Sequence, residues 1–263
     1  MAATPALQLA GTYRRTVNAS LVRIWENVFD WEHLAHLHDG SFAECALIDS
    51  GPWGWRVCLT VVGANTAQVI EMRADRACNR YTSSTLEGVG MGSEIRVELA
   101  PVDSGGVDVT VDFHLPEPSP ARLGVLGAAY VAAYARLWDE DEAMMQARER
   151  ALSLRRAPDR AAGLRDLGDE RRVRAALPIA LEFGGAPFRL IDLAGEIVAH
   201  SAICPHWLGP LDEVPVIDGK IRCPWHGYLF DVASGLCRAH PSLRLARAPE
   251  IRLVDGRVVA SWG

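Results

Sequence analysis

Cys204-Pro-His206-Trp-Leu-Gly-Pro-Leu-Asp212 and Cys223-Pro-Trp-His226-Gly-Tyr-Leu-Phe-Asp231 form two short hooks, with sixteen residues between His206 and Cys223. Each hook offers one thiolate and one imidazole. Together they can hold one zinc ion, or a cluster of two irons and two sulfides with both cysteines on one iron and both histidines on the other. Spacing alone does not choose between these. Proline after each cysteine, with glycine at Gly209 and Gly227, suits tight turns whose amide groups could point at sulfide, which a zinc hook does not require. In an intracellular chain such Cys/His clusters favour a metal over a disulfide.

Working outward, the chain has 263 residues, 49% of them hydrophobic, enough for two modest cores, and the hooks need only the last third. A formal net charge of −6, with no Lys/Arg cluster, argues against nucleic acid and membrane as partners. Lys220 is the single lysine among 27 basic residues, a bias that reflects genome composition more readily than function. Residues 1–11 lack a charged-then-apolar signal pattern, and no apolar run reaches the roughly 18 residues of a membrane span, so a soluble cytoplasmic protein is expected. Cys45, Cys58, Cys78 and Cys237 have no partner spacing and read as buried or half-buried free thiols.

The N-terminal two thirds has its own periodicity. A strand near Thr12–Val17 precedes an aromatic-rich helix from about Leu21 to Leu37. Alternating β-branched stretches then follow at Gly54–Val62, Ala67–Asp75, Arg80–Leu86, Gly92–Leu99 and Val107–Leu115, punctuated by Gly, Pro, Asn or Asp, an antiparallel meander. After Pro116–Pro120 a long helix carries the apolar stripe Leu126, Tyr130, Ala133, Leu137, Met144 and Leu152, ending before Pro158. Strand, helix, curved sheet and long final helix is the order of the helix-grip (START/SRPBCC-like) fold, which wraps a sheet around a helix. The expected class is α+β. The charged stretch 158–171 reads as a linker between a domain at 1–157 and another at 172–263.

The two hooks, with the Val-Ala-Ser-Gly that follows Asp231, closely resemble the cluster-binding loops of Rieske proteins, and the resemblance covers residues 172–263. It implies an all-β domain in which Cys204, His206, Cys223 and His226 bind a [2Fe-2S] cluster. Histidine ligation places such clusters at about −150 to +300 mV, above plant-type ferredoxins.

A second constellation lies in the first helical segment, Asn27-x2-Asp30-x2-His33-x4-His38. Asp30 and His33 share a helix face, but the five-residue step to His38 rotates by about 140°, so the helix must end before His38, with Gly40 as the stop. His36 has the pattern of a core histidine. As a set the segment resembles the iron-binding stretch of Rieske non-haem iron oxygenase catalytic domains, which use the helix-grip fold. The long helix offers Asp139, Glu140, Asp141 and Glu142; phase puts Asp141 near the apolar stripe, Glu140 on its other edge and Asp139 and Glu142 away from it. The run Glu140-Asp141-x5-Ala-x-Glu-Arg resembles the family segment that supplies the ligand aspartate.

The resemblance thus implies one mononuclear Fe(II) held by His33, His38 and Asp141, two histidines and a carboxylate that leave positions open for oxygen. Asp30 matches the family's bridging carboxylate between His33 and a cluster histidine, with Asn27 helping to order Asp30. The expected activity is O2-dependent hydroxylation, dihydroxylation or demethylation of a largely apolar small molecule, lined by aromatics such as Trp53, Trp55, Phe113 and Tyr130. His114 could also face it, while His200 and His240 read as surface or supporting residues. No Gly-x-Gly-x-x-Gly follows a strand, so electrons must come from an external ferredoxin or NAD(P)H-dependent reductase. Family members place the Rieske domain first; here the order is reversed, which removes no ligand. Their head-to-tail trimers make a homotrimer the expected assembly. Two other readings stay open: a ligand-binding or cyclase-like helix-grip module fused to a Rieske electron carrier, and a zinc-structured binding protein.

Overall fold

In Val107–Leu115 every odd-numbered residue is buried, and that period of two lays one side of the strand against a core. The computed structural model describes residues 6–103, 105–117, 119–154 and 159–262. It separates into two units, Met1–Gln146 and Ala147–Gly263.

In the first unit, strands β1 (Gln8–Val17), β2 (Phe42–Gly51), β3 (Gly54–Val61), β4 (Gln68–Asp75), β5 (Arg80–Glu87), β6 (Glu94–Pro101) and β7 (Val107–Leu115) form one antiparallel sheet in the order β1-β7-β6-β5-β4-β3-β2. Its inner face packs on helices α1 (Leu21–Phe29) and α2 (Pro120–Leu154), burying Ile24, Trp25, Val97, Val111, Phe113, Trp138 and Met145 in one cluster. This is the expected helix-grip arrangement. Helix α2 runs 35 residues, about 52 Å at 1.5 Å per residue. It approaches β1 so closely that a Cβ on Gly127 would stand 1.9 Å from the Ala10 carbonyl oxygen, which explains the glycine there.

The second unit is β-rich, with strands β8 (Arg165–Asp169), β9 (Ile179–Phe183), β10 (Ala186–Leu193), β11 (Glu196–Ser201), β12 (Val216–Ile217), β13 (Lys220–Arg222), β14 (Leu229–Asp231), β15 (Glu250–Val254) and β16 (Arg257–Ser261), and one short helix, α3 (Glu170–Ala176). Three three-stranded sheets result, ordered β11-β10-β9, β12-β13-β14 and β15-β16-β8. Leu181, Phe183, Phe188, Leu190 and Ala260 form a core against which Trp262 packs. No helix among the described residues is long and apolar enough to cross a membrane.

Five expectations are corrected. The first helix stops at Phe29 rather than near Leu37, because Asp30 leaves helical geometry at φ −89°, ψ 85° and the chain continues in turns to Ser41. An unexpected edge strand, β2, pairs with β3; register shifts after Phe42 and after Leu47 break the alternation that would have revealed it. The stretch expected as a linker contains β8, whose backbone pairs with β16 while Asp166 accepts a 2.6 Å hydrogen bond from Arg257 Nε. Charged side chains there mask a strand held by its main chain. The division between units falls within α2, after Gln146, and the expected boundary and helix end near Pro158 lie outside the described residues. Finally, Cys78 is exposed, whereas Cys45 and Cys58 are half-buried and Cys237 buried as expected.

Candidate metal centres

Ser20 caps α1, its hydroxyl accepting from the Arg23 amide, and the helix presents Asn27 inward beside Ile24 and Val28. After Asp30 the chain doubles back: the Leu37 amide donates to the His33 carbonyl and the Phe42 amide to the His38 carbonyl. These turns bring both imidazoles to face one carboxylate on α2. His33 Nε2 lies 3.5 Å and His38 Nε2 3.2 Å from Asp141 Oδ1. One ligand atom from each of the three lies within 4.8 Å of the others. Two metal bonds of about 2.1 Å at right angles hold their ligand atoms about 3 Å apart, so the spacing suits a single ion gripped on one side. His33, His38 and Asp141 are 4%, 2% and 9% exposed, depths at which a cation would offset the cost of burying the carboxylate.

Neighbouring groups aim these donors. Asn27 Nδ2 donates to Asp141 Oδ1 at 2.8 Å, a partner the sequence did not suggest, while the Asn27 carbonyl accepts from the Asp30 amide at 3.0 Å. Glu140 Oε2 stands 2.5 Å from His38 Nδ1, and Asp30 Oδ2 is 3.4 Å from His33 Nδ1. His38 thus turns its remote nitrogen to a bonded carboxylate, the pattern that orients metal-binding histidines, while Asp30 lies near His33 Nδ1 without hydrogen-bonding it. Burial alone would raise the Asp141 pKa, but the hydrogen bond and charge of His38, the charge of His33 and the Asn27 amide hold it below the ordinary carboxylate value. Burial pulls His38 down, yet the carboxylates of Asp141 and Glu140 leave it raised.

Helix phase read Glu142 and Glu140 incompletely. Glu142 is 6% exposed and accepts from the Asn18 amide at 2.8 Å while pairing with Arg15, because β1 and its following turn cover that side of α2. Asp139 points outward as expected. His36 is exposed rather than in the core, since the early end of α1 swings it out. His114 lies on the sheet's outer face, out of step with buried Phe113, and His200 is buried, its Nδ1 2.9 Å from the Ser201 carbonyl oxygen. Trp53 sits in the β2–β3 turn under the Arg73 guanidinium, 5.1 Å from its ring centre, while Trp55 is buried and donates to the Val28 carbonyl.

In the second unit the two hooks are the same turn built twice. The Cys204 amide donates to the Gly209 carbonyl and the Leu208 amide to the Cys204 carbonyl; correspondingly the Cys223 amide donates to the Tyr228 carbonyl and the Gly227 amide to the Cys223 carbonyl. Leu208 and Gly227 occupy equivalent places, at φ 65° and 68°. Gly209 is required for a different reason: a Cβ on it would lie 2.9 Å from Cys223 Sγ. The turns bury Cys204 and Cys223 to 0% and 1% exposure, and bring the His206 and His226 rings to 4.6 Å, nearly perpendicular. Two adjacent buried sulfurs do not both ionise unaided: contact with Cys204 pulls Cys223 down to about 5, and contact with Cys223 pushes Cys204 far up. Two thiols beside two imidazoles fit a cation that stabilises both thiolates. Arg148, from the last turns of α2, lies over the Trp207 ring at 4.3 Å and donates to the Trp207 carbonyl at 3.0 Å, a neighbour of the hooks that sequence spacing gave no reason to seek.

Residues 165–250 match the family model of the Rieske [2Fe-2S] domain. The ferredoxin subunit of anthranilate 1,2-dioxygenase from Burkholderia cepacia is 33% identical over 86 residues, 33% of this chain and 80% of that protein. The 4beta-methylsterol monooxygenase of Methylococcus capsulatus is 36% identical over 74 residues, 27% of this chain but only 20% of that enzyme. Among solved structures, an aromatase/cyclase from Streptomyces sp. R1128 aligns with 56% of this chain and 98% of its own at a TM-score of 0.47 and 14% identity.

Proposed function

Because the chain belongs to the Rieske [2Fe-2S] family through residues 165–250, we propose that it is the oxygenase component of an electron-transfer system, oxidising a small molecule with O2. The Rieske domain implies one [2Fe-2S] cluster and an electron-transfer role, with Cys204, His206, Cys223 and His226 as its holders. The observation that carries the oxygenase reading is the buried convergence of His33, His38 and Asp141, a donor set that an electron carrier alone does not need. When bound, the two centres supply one-electron transfer and dioxygen activation. Asn27 keeps the Asp141 carboxylate turned toward the imidazoles, and Glu140 keeps the His38 ring facing it. In this reading Asp30 also links His33 to a cluster histidine, electrons arrive from an external ferredoxin or NAD(P)H-dependent reductase, and the chain works in the cytoplasm as a homotrimer.

The test joins composition to turnover. Purified protein should contain iron in excess of its acid-labile sulfide, the excess being one iron per chain. Asp141→Ala should keep the brown cluster chromophore and its reduced-state paramagnetic signal while losing the excess iron and all O2-dependent product. Equal iron and sulfide in the wild type would instead support the electron carrier fused to a binding module, and colourless zinc protein would end both readings.

A further inference from the structure

Each hook of the second unit carries a guanidinium on its main chain. In the first, Arg148 Nη1 donates to the Trp207 carbonyl at 3.0 Å; in the second, Arg222 Nη1 donates to the Gly227 carbonyl, also at 3.0 Å. A guanidinium stays charged at every working pH, so each bond fixes a positive charge beside a metal-binding turn.

The two cations differ in setting. Arg222 is exposed, and water and salt screen it. Arg148 is half-buried in the last turns of α2, with its guanidinium carbon 4.3 Å from the centre of the Trp207 ring. The same indole stands 5.6 Å from the His226 ring and 6.3 Å from the His206 ring, centre to centre. All four side chains belong to the second unit. An indole in place of water beside the cation leaves its field less attenuated toward the imidazoles. The acids closest in sequence, Glu149 on the helix and Asp212 and Glu213 after the first hook, are exposed, so solvent weakens the opposing field.

Reduction adds one negative charge at the hooks, and the potentials of such clusters follow net charge, hydrogen bonding to the sulfurs and solvent exposure. A cation held on the histidine side favours the reduced form. We propose that Arg148 is a tuning residue of the [2Fe-2S] cluster, its charge acting through the Trp207 ring to raise the reduction potential and ease electron entry from the external donor. This rests on the cluster reading of the hooks and not on the oxygenase reading.

Spectroelectrochemical titration of the purified holoprotein in dilute salt, with turnover playing no part, tests the assignment. Arg148→Gln and Arg148→Met should each shift the balance of reduced to oxidised cluster about tenfold toward the oxidised form, a fall of about 59 mV for one electron. Arg148→Lys, which keeps the charge, should fall less than half as far, and so should Arg222→Gln, which removes the exposed cation. Neutral Arg148 variants with the wild-type potential would overturn the proposal, as would Arg148→Lys falling as far as Arg148→Gln, since geometry and not charge would then be at work. Arg222→Gln falling as far as Arg148→Gln would remove the special standing of the half-buried site. Loss of the brown chromophore from both neutral variants would show a structural clamp and would also overturn it. Wild-type protein without a reducible chromophore would sink the cluster reading and this inference together, whereas equal potentials in wild type and Arg148→Gln would sink this inference alone.

Discussion

Glu140 was legible as a carboxylate on a helix but not as a partner of His38, because the turns from Asp30 to Ser41 that deliver His38 to it have no periodicity to read. Asp141 was found because phase and motif agreed on it. Asn27 was singled out without its side-chain partner Asp141, since a motif names residues without saying which way an amide points. The geometry makes Glu140 testable apart from the metal-binding atoms. Glu140→Ala frees the His38 ring to rotate and should weaken iron retention about ten- to a hundredfold. Iron remaining after dialysis against graded chelator reads this directly; retention unchanged from wild type would mean the ring is fixed by packing alone. Cluster absorbance should not change, because none of the four hook ligands is touched.

Among the elements, β7 and the meander strands were readable because alternation survives in them, whereas β2 and β8 were not: one is bulged, the other charged on both sides. The Asp218-Gly219 and Asp255-Gly256 pairs, at φ 50° and 72° and at 48° and 75°, mark hairpin turns that composition does disclose. The seat of α2 on β1 was invisible, since it depends on what Gly127 lacks. Gly127→Ala drives a methyl group into the Ala10 carbonyl and should destabilise the first unit by about 1–3 kcal/mol, lowering its denaturation midpoint in urea with little change in slope. On β4, Glu71 is buried and bonded to Arg73 of the same strand and Arg56 of β3, hydrogen bonds and charges that hold its carboxyl below the usual range. A depressed folded pKa gives stability that is complete above the ordinary carboxylate value of about 4.3 and is lost as pH falls through the folded value. Glu71→Gln should therefore be less stable than wild type at pH 7, and the gap should close on acidification below about pH 4; a gap independent of pH would contradict the assignment.

For the whole molecule, the sequence disclosed two folds, one through the Rieske hooks and the other through its order of strand, helix, sheet and long helix, while the division within α2 has no composition change to announce it. The paired hooks of the second unit have a consequence for how the protein matures. Gly227 accepts a left-handed backbone freely, but Leu208, holding the equivalent position, gives up about 1–2 kcal/mol to do so. One jaw of the clamp is thus sprung before its mineral arrives and the other relaxed. Nascent chains should offer Cys223 and His226 as the ready-made dock, with residues 204–209 snapping shut last. Hydrogen exchange in freshly synthesised, iron-starved protein should be fast across 204–209 and slow across 223–228, and should become slow in both once the cluster has been built.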